Sequence, residues 1–229
     1  FMVLDFIDGV TLRKVMRWQG RPFLPGEVLG YLRPVGAALN YAHHQGVVHC
    51  DMKPANVMID RFGKVFVADF GIARVSESAT VTFSTPGTPA YMAPEQWRGD
   101  EEMHPATDVY SLGVVLYEML AGQQPFTGDA AQTKGHTREK IMWEHLHFDP
   151  PLASALNPQL PKAFDLVLLR CLAKRSSERY QDVQQLLEAF QAACQQLGIA
   201  EEPAPPPSAG LVETRTPPPS GLTIPADQP

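Results

Sequence analysis

His49-Cys50-Asp51-Met52-Lys53-Pro54-Ala55-Asn56 is the stretch on which the reading of this chain turns, because it puts a carboxylate, an ammonium and an amide into one short turn-bearing segment. Asp51 is suited to accept a proton, Lys53 to neutralise a phosphoryl oxygen, and the side-chain carbonyl of Asn56 to meet a hard metal ion. These are the parts that phosphoryl transfer requires, since that reaction runs on positioning and on positive charge set beside oxygens.

Working outward, Val57-Met58-Ile59-Asp60 and Lys64-Val65-Phe66-Val67 flank Phe62-Gly63, the pattern of a short hairpin. Asp69-Phe70-Gly71 follows it, so Asp69 is placed to ligate magnesium directly, and Ala93-Pro94-Glu95 closes a long loop, 69–95, rich in Ser, Thr, Gly and Pro. On the other side, Val28, Leu32, Val35, Leu39 and Ala42 recur at helical spacing and predict a long amphipathic helix closed by Gly46, with a kink expected at the interior Pro34. Thr11 is positioned to cap a short helix running to Trp18 and stopped by Gly20 and Pro22, while Asp8-Gly9 reads as a turn. The opening run 1–7 is apolar and strand-like. A strand of that kind sits inside a sheet, so the chain is expected to be a piece of a longer protein.

Toward the carboxyl end, 109–120 is apolar almost all round and predicts a buried helix, ended by Gly122 with Pro125 beyond. A surface helix is expected within 128–146, and amphipathic helices over 162–173 and 182–197. After Gly198 the composition shifts to Pro203-Ala204-Pro205-Pro206-Pro207 and Pro217-Pro218-Pro219, which reads as a disordered or polyproline-like tail. Such a tail is a linker or a ligand for a proline-binding partner.

Composition narrows the functional classes. A chain of 229 residues with 44% hydrophobic positions buries one sizeable core. Its net charge of -6 and lack of basic runs exclude nucleic acid as a main partner. Cys50, Cys171 and Cys194 are scattered, which fits neither a disulfide framework nor a zinc site. No apolar run spans a bilayer, since 109–120 carries Glu118; a cytoplasmic segment is expected, which leaves room for a membrane tether elsewhere in a longer parent.

Taken together, His49 to Asn56, Asp69-Phe70-Gly71, Ala93-Pro94-Glu95 and the apolar helix carrying Asp108 and Gly113 resemble, in this order, the large carboxyl-terminal lobe of the eukaryotic-type protein kinases, and the loops are most similar to those of bacterial serine/threonine kinases. The resemblance implies an α+β, protein-kinase-like fold: a mainly helical C-lobe with short hairpins over 9–198, preceded by one remnant small-lobe strand and hinge over 1–8 and followed by the tail 199–229. It implies ATP and Mg2+, with transfer of the γ-phosphoryl group to a protein Ser or Thr hydroxyl. In that likeness Asp51 is the catalytic base and Lys53 the cation beside the transferred phosphate. Asn56 and Asp69 are the magnesium ligands. Leu4 stands at the gatekeeper position, the backbone of Asp5 and Ile7 at the hinge that meets adenine, and Met58 beneath the base. Glu95 and Arg179 would form a buried ion pair, Asp108 would anchor the catalytic loop, and His49 would pack against Phe70. His43, His44, His104 and His145 show no ligand spacing and are expected at the surface.

Cys50 departs from the family pattern, which has arginine there to couple the loop to a phosphorylated activation segment. Without that cation, activity is expected to depend less on phosphorylation of Ser78, Thr80, Thr82, Ser84 or Thr85, with Arg74 the cation that remains. The sequence also holds no Gly-rich phosphate loop, strand lysine or partner glutamate, so these 229 residues alone are expected to bind nucleotide poorly and turn over negligibly. Two other readings stay open at this point: a pseudokinase or scaffold, and a small-molecule phosphotransferase of kinase-like fold, although that group lacks the Ala-Pro-Glu segment.

Overall fold

The computed structural model describes residues 6–70, 89–99, 102–131 and 135–206. Within them the fold is helical, with one small antiparallel sheet. Three strands, β1 (Gly9–Thr11), β2 (Val57–Asp60) and β3 (Val65–Val67), lie in the order β1-β2-β3. The expected hairpin is β2–β3, with Met58 opposite Phe66. Strand β1 corrects the sequence reading of Asp8-Gly9 as a turn: Gly9 pairs with Asp60 and Thr11 with Met58. The glycine serves close approach here, because a Cβ on Gly9 would lie 2.1 Å from the carbonyl oxygen of Ile59. The expected first strand is also corrected in part. Phe6 and Ile7 lie in irregular backbone, and residues 1–5 fall outside the described residues.

Helix α1 (Leu12–Gln19) begins where the Thr11 hydroxyl accepts the Lys14 N–H at 3.3 Å, and ends at Gly20 with φ 62°. Helix α2 (Pro25–His44) starts earlier than its apolar stripe, because Pro25 occupies the first turn and the Glu27 carboxylate accepts the Leu24 N–H at 2.7 Å. It runs unbroken through Pro34. Helix α4 (Pro105–Ala121) is buried on nearly every side and stops at Gly122, φ 81°. Helices α7 (Ala163–Cys171) and α8 (Val183–Gln196) follow the predicted periodicity, the latter capped by Asp182, which accepts the Gln185 N–H at 2.7 Å. Val28, Leu39, Val109, Val114, Phe164 and Phe190 sit in one core that α2, α4, α7 and α8 share.

Two short helices, α3 (Pro94–Arg98) and α6 (Ala153–Leu156), had no periodic signal because a single turn presents no repeating face. Helix α5 (Thr137–His147) is shorter than expected, and its carboxyl end turns inward. There Glu144 accepts the N–H groups of Gly128, Ala130 and Ala131 at 2.8, 2.7 and 3.0 Å, so the carboxylate folds the loop that precedes the helix. His145 is fully buried, which overturns its assignment to the surface.

The tail is corrected as well. Residues 199–206 do not leave the domain; they lie back along α2, with the Glu202 N–H donating to the Gly26 carbonyl at 3.0 Å. Backbone hydrogen bonding and the docking of Ile199 and Ala204 against the core outweigh the proline-rich composition. The rest of the predicted tail, 207–229, lies outside the described residues, as does 71–88 of the long loop.

Candidate active site

The stretch from His49 to Asn56 joins the end of α2 to β2 and has little regular structure of its own, apart from a 3-10 turn over Pro54–Asn56. Its shape is imposed from α4. Asp108, wholly buried in the first turn of that helix, accepts the backbone N–H of His49 through Oδ2 and that of Cys50 through Oδ1, both at 2.8 Å. His43 Nε2 stands 2.7 Å from the same Oδ2, its side chain 5% exposed. His43 was expected at the surface. It follows Leu39 by one helical turn and so shares the buried stripe of α2, a signal present in the sequence.

Holding both N–H groups stabilises a conformation the chain would otherwise avoid. Cys50 has φ 62°, in the left-handed region, at a cost of roughly 1–2 kcal/mol for a residue with a Cβ. Its carbonyl accepts from Gln96 Nε2 at 2.6 Å, so α3 grips the same residue from the other side. Gln96 had no sequence signal, because its relation to Cys50 exists only after folding. With Cys50 turned this way, Asp51 is carried out of the core. Its side chain is 41% exposed.

Lys53 Nζ lies 2.6 Å from Asp51 Oδ2, and Asn56 Nδ2 donates to the Asp51 carbonyl at 2.8 Å and to Oδ2 at 3.2 Å. One carboxylate oxygen is therefore occupied twice. Among the described residues no donor reaches the other, Oδ1. The amide of Asn56, having committed its nitrogen to Asp51, leaves its carbonyl oxygen for a hard cation.

His49 links this loop to the strand beyond. Its Nδ1 accepts the Asp51 N–H at 3.2 Å, so Nε2 carries the proton that is donated to the Ala68 carbonyl at 2.9 Å. Both nitrogens are engaged with backbone in a neutral ring, which suits a strut and not a base. The ring packs on Phe70 at 4.8 Å between centroids, as the resemblance implies. Next to Ala68, Asp69 is exposed and has φ 59°, a left-handed conformation that aspartate tolerates better than most residues. The Ala68 N–H donates to the Asn56 carbonyl at 2.8 Å and ties the two segments together.

Asn56 and Asp69 thus offer oxygen donors from adjoining backbone segments, a set that fits magnesium with its remaining positions left to water and phosphate. Among the described residues there is no group of three or more His, Cys, Asp or Glu that would cage a metal ion on its own. Met58 is half-buried on β2, and Ile7 is half-buried ahead of β1. Leu4 and Asp5 lie outside the described residues, as do Gly71, Arg74 and the acceptor candidates Ser78 to Thr85.

A second charged pair is buried in the core. Arg179 Nη1 and Nη2 donate to Glu95 Oε1 and Oε2 at 2.7 and 2.8 Å, with both side chains at most 1% exposed. The guanidinium also donates to the carbonyls of Ala106, Ala173 and Lys174 and lies over the Tyr110 ring at 4.7 Å. Burial raises the pKa of the Glu95 carboxyl, but the Arg179 hydrogen bonds and charge outweigh it and hold the group below its ordinary value.

The sequence profile described as the protein kinase domain matches residues 1–191. Serine/threonine-protein kinase PknB of Mycobacterium tuberculosis is 40% identical over 185 residues, which are 79% of this chain and 28% of that protein. Serine/threonine-protein kinase PknL of the same organism is 38% identical over 209 residues, 90% of this chain and 50% of that protein. The chain therefore spans half or less of the length of these relatives. Among solved structures, the Mycobacterium tuberculosis PknI kinase domain superposes with a TM-score of 0.62 at 28% identity, over 83% of this chain and 64% of that one.

Proposed function

This chain belongs to the protein kinase family, in its bacterial serine/threonine branch, and we propose that it supplies the catalytic half of a site that moves the γ-phosphoryl group of ATP to a Ser or Thr hydroxyl of a protein. The observation that carries this reading is the Asp51 carboxylate: Oδ2 is held by Lys53 and Asn56, while Oδ1 has no donor among the described residues and the side chain is 41% exposed.

A substrate hydroxyl would donate its hydrogen bond to Oδ1. That orients the oxygen for attack and gives its proton a destination as the bond to phosphorus forms. Lys53 meanwhile keeps its ammonium close to the base and to the oxygens of the transferring group, where a loose transition state spreads its charge. Mg2+, when bound, neutralises phosphate charge, and Asn56 Oδ1 and the Asp69 carboxylate are the atoms that would hold it. Leu4, the backbone of Asp5 and Ile7, and Met58 are the positions assigned to the adenine ring. The Cys50 substitution is read as weakening control by loop phosphorylation.

The full-length protein, incubated with ATP, Mg2+ and a generic acceptor protein, is expected to yield phosphoserine or phosphothreonine, and its Asp51→Asn variant is not. Transfer undiminished by Asp51→Asn, or confined to tyrosine, would overturn the proposal.

A further inference from the structure

Residues 199–206 run across the N-terminal half of α2 and on to the turn between β2 and β3. Three glycines line their path. A Cβ on Gly26 would lie 2.3 Å from the Ala200 carbonyl oxygen, one on Gly30 1.9 Å from that of Glu202, and one on Gly63, in the β2–β3 turn, 2.8 Å from that of Ala204. Gly26 and Gly30 are a helical turn apart and so share one face of α2, and the three nearest atoms that a Cβ on either would meet belong to 199–204. A glycine in mid-helix is less stable than alanine by about 1 kcal/mol, so Gly30 works against α2 unless something needs the room.

The segment that uses the room is specifically held. The Glu202 N–H donates to the Gly26 carbonyl at 3.0 Å. The Glu201 carboxylate takes Arg33 in a forked pair, Nε to Oε1 at 2.8 Å and Nη2 to Oε2 at 2.5 Å, and that guanidinium keeps the Glu201 carboxyl below its ordinary value. Ile199 and Ala204 pack against the core at either end. The far end meets the hairpin whose two strands lead from Asn56 and into Asp69.

We propose that 199–206 is a strap: a docking groove along α2, cut by Gly26, Gly30 and Gly63 to fit an extended small-residue acidic peptide, is occupied by the chain's own segment, and this occupancy braces the β2–β3 hairpin. The strap thereby connects whatever acts on the proline-rich region beyond it to the hairpin that joins Asn56 to Asp69. The inference concerns packing and holds whether or not the lobe transfers phosphate.

Hydrogen exchange of the full chain tests it, comparing wild type with Gly30→Ala and with Glu202→Pro. Gly30→Ala meets only the strap and is otherwise favourable to α2, while Glu202→Pro removes the strap's N–H without touching the lobe. In wild type, amides of 199–204 are expected to exchange more slowly than in a free peptide of the same sequence. In both variants that protection should fall roughly five- to tenfold, as the loss of one or two modest interactions implies. Exchange at 61–64 should rise with it, and exchange in α4 should stay unchanged. Unprotected 199–204 in wild type would overturn the strap, and a hairpin indifferent to its release would overturn the bracing.

Discussion

Two acid–base pairs lie in this lobe, and they are built to opposite rules. Asp51 and Lys53 meet at 2.6 Å with side chains 41% and 18% exposed, and Asp51 keeps one oxygen clear of donors among the described residues. Glu95 and Arg179 meet at 2.7 Å with side chains at most 1% exposed, and both carboxylate oxygens and all three guanidinium nitrogens are engaged. Saturated valence in a dry setting makes architecture. Spare valence at the surface leaves something to offer a substrate.

The largest effect should come from the exposed pair. Asp51→Asn is expected to lower phosphoryl transfer by the full-length protein about 10²- to 10⁴-fold, measured as initial rate with saturating ATP, while the thermal midpoint moves little. A large loss of stability instead would erase the distinction between the two pairs.

Next, Arg179→Met should reverse that pattern by leaving Glu95 buried without its partner, at a cost of about 3–5 kcal/mol in denaturant unfolding. Because the Glu95 carboxyl titrates lower folded than unfolded, the pair's contribution is present above the unfolded carboxylate range and is lost as pH falls through the folded value. Glu95→Gln should therefore flatten the acid limb of the stability curve.

His145 extends the buried network, with its Nδ1 2.8 Å from the Tyr110 hydroxyl. Burial first, then the Lys174 charge, push its pKa from 6.5 down to about 3. The unfolded state then binds the proton more readily, so stability is full above about pH 6.5 and declines toward pH 3, by up to ~1.4 kcal/mol per unit. His145→Gln should remove most of that slope between pH 6.5 and 4.5, read by thermal melts across the series. An unchanged slope would mean that the base titrates elsewhere.

The smallest effect belongs to the loop's strained residue. Cys50→Gly relieves a left-handed Cβ and is expected to stabilise the chain by up to about 1 kcal/mol in chemical denaturation. A destabilised variant would show that the thiol contributes packing that outweighs the strain.

How far each pair was legible follows from the same contrast. Asp51, Lys53 and Asn56 sit within six residues of one another, so their spacing alone places them in one turn. Glu95 and Arg179 are 84 positions apart, and only likeness to a family paired them. His43 lies on the apolar stripe of α2, four positions after Leu39, so its burial was legible in the sequence. Gln96 and the 199–206 strap carried no local signal. A glutamine in a one-turn helix and a proline-rich stretch look the same in sequence whether they dock or not.

By itself, then, the sequence determined the order of chemical groups, the caps and stops of the longer helices, and the hairpin between Asn56 and Asp69, because each depends on residues a few positions apart. Only the tertiary structure decided that Asp108 would bend Cys50 into a left-handed turn, that His49 would serve as a neutral strut, and that the start of the tail would return to α2. Those outcomes depend on which groups meet across the core, where an unpaired donor or acceptor costs enough to override local preference.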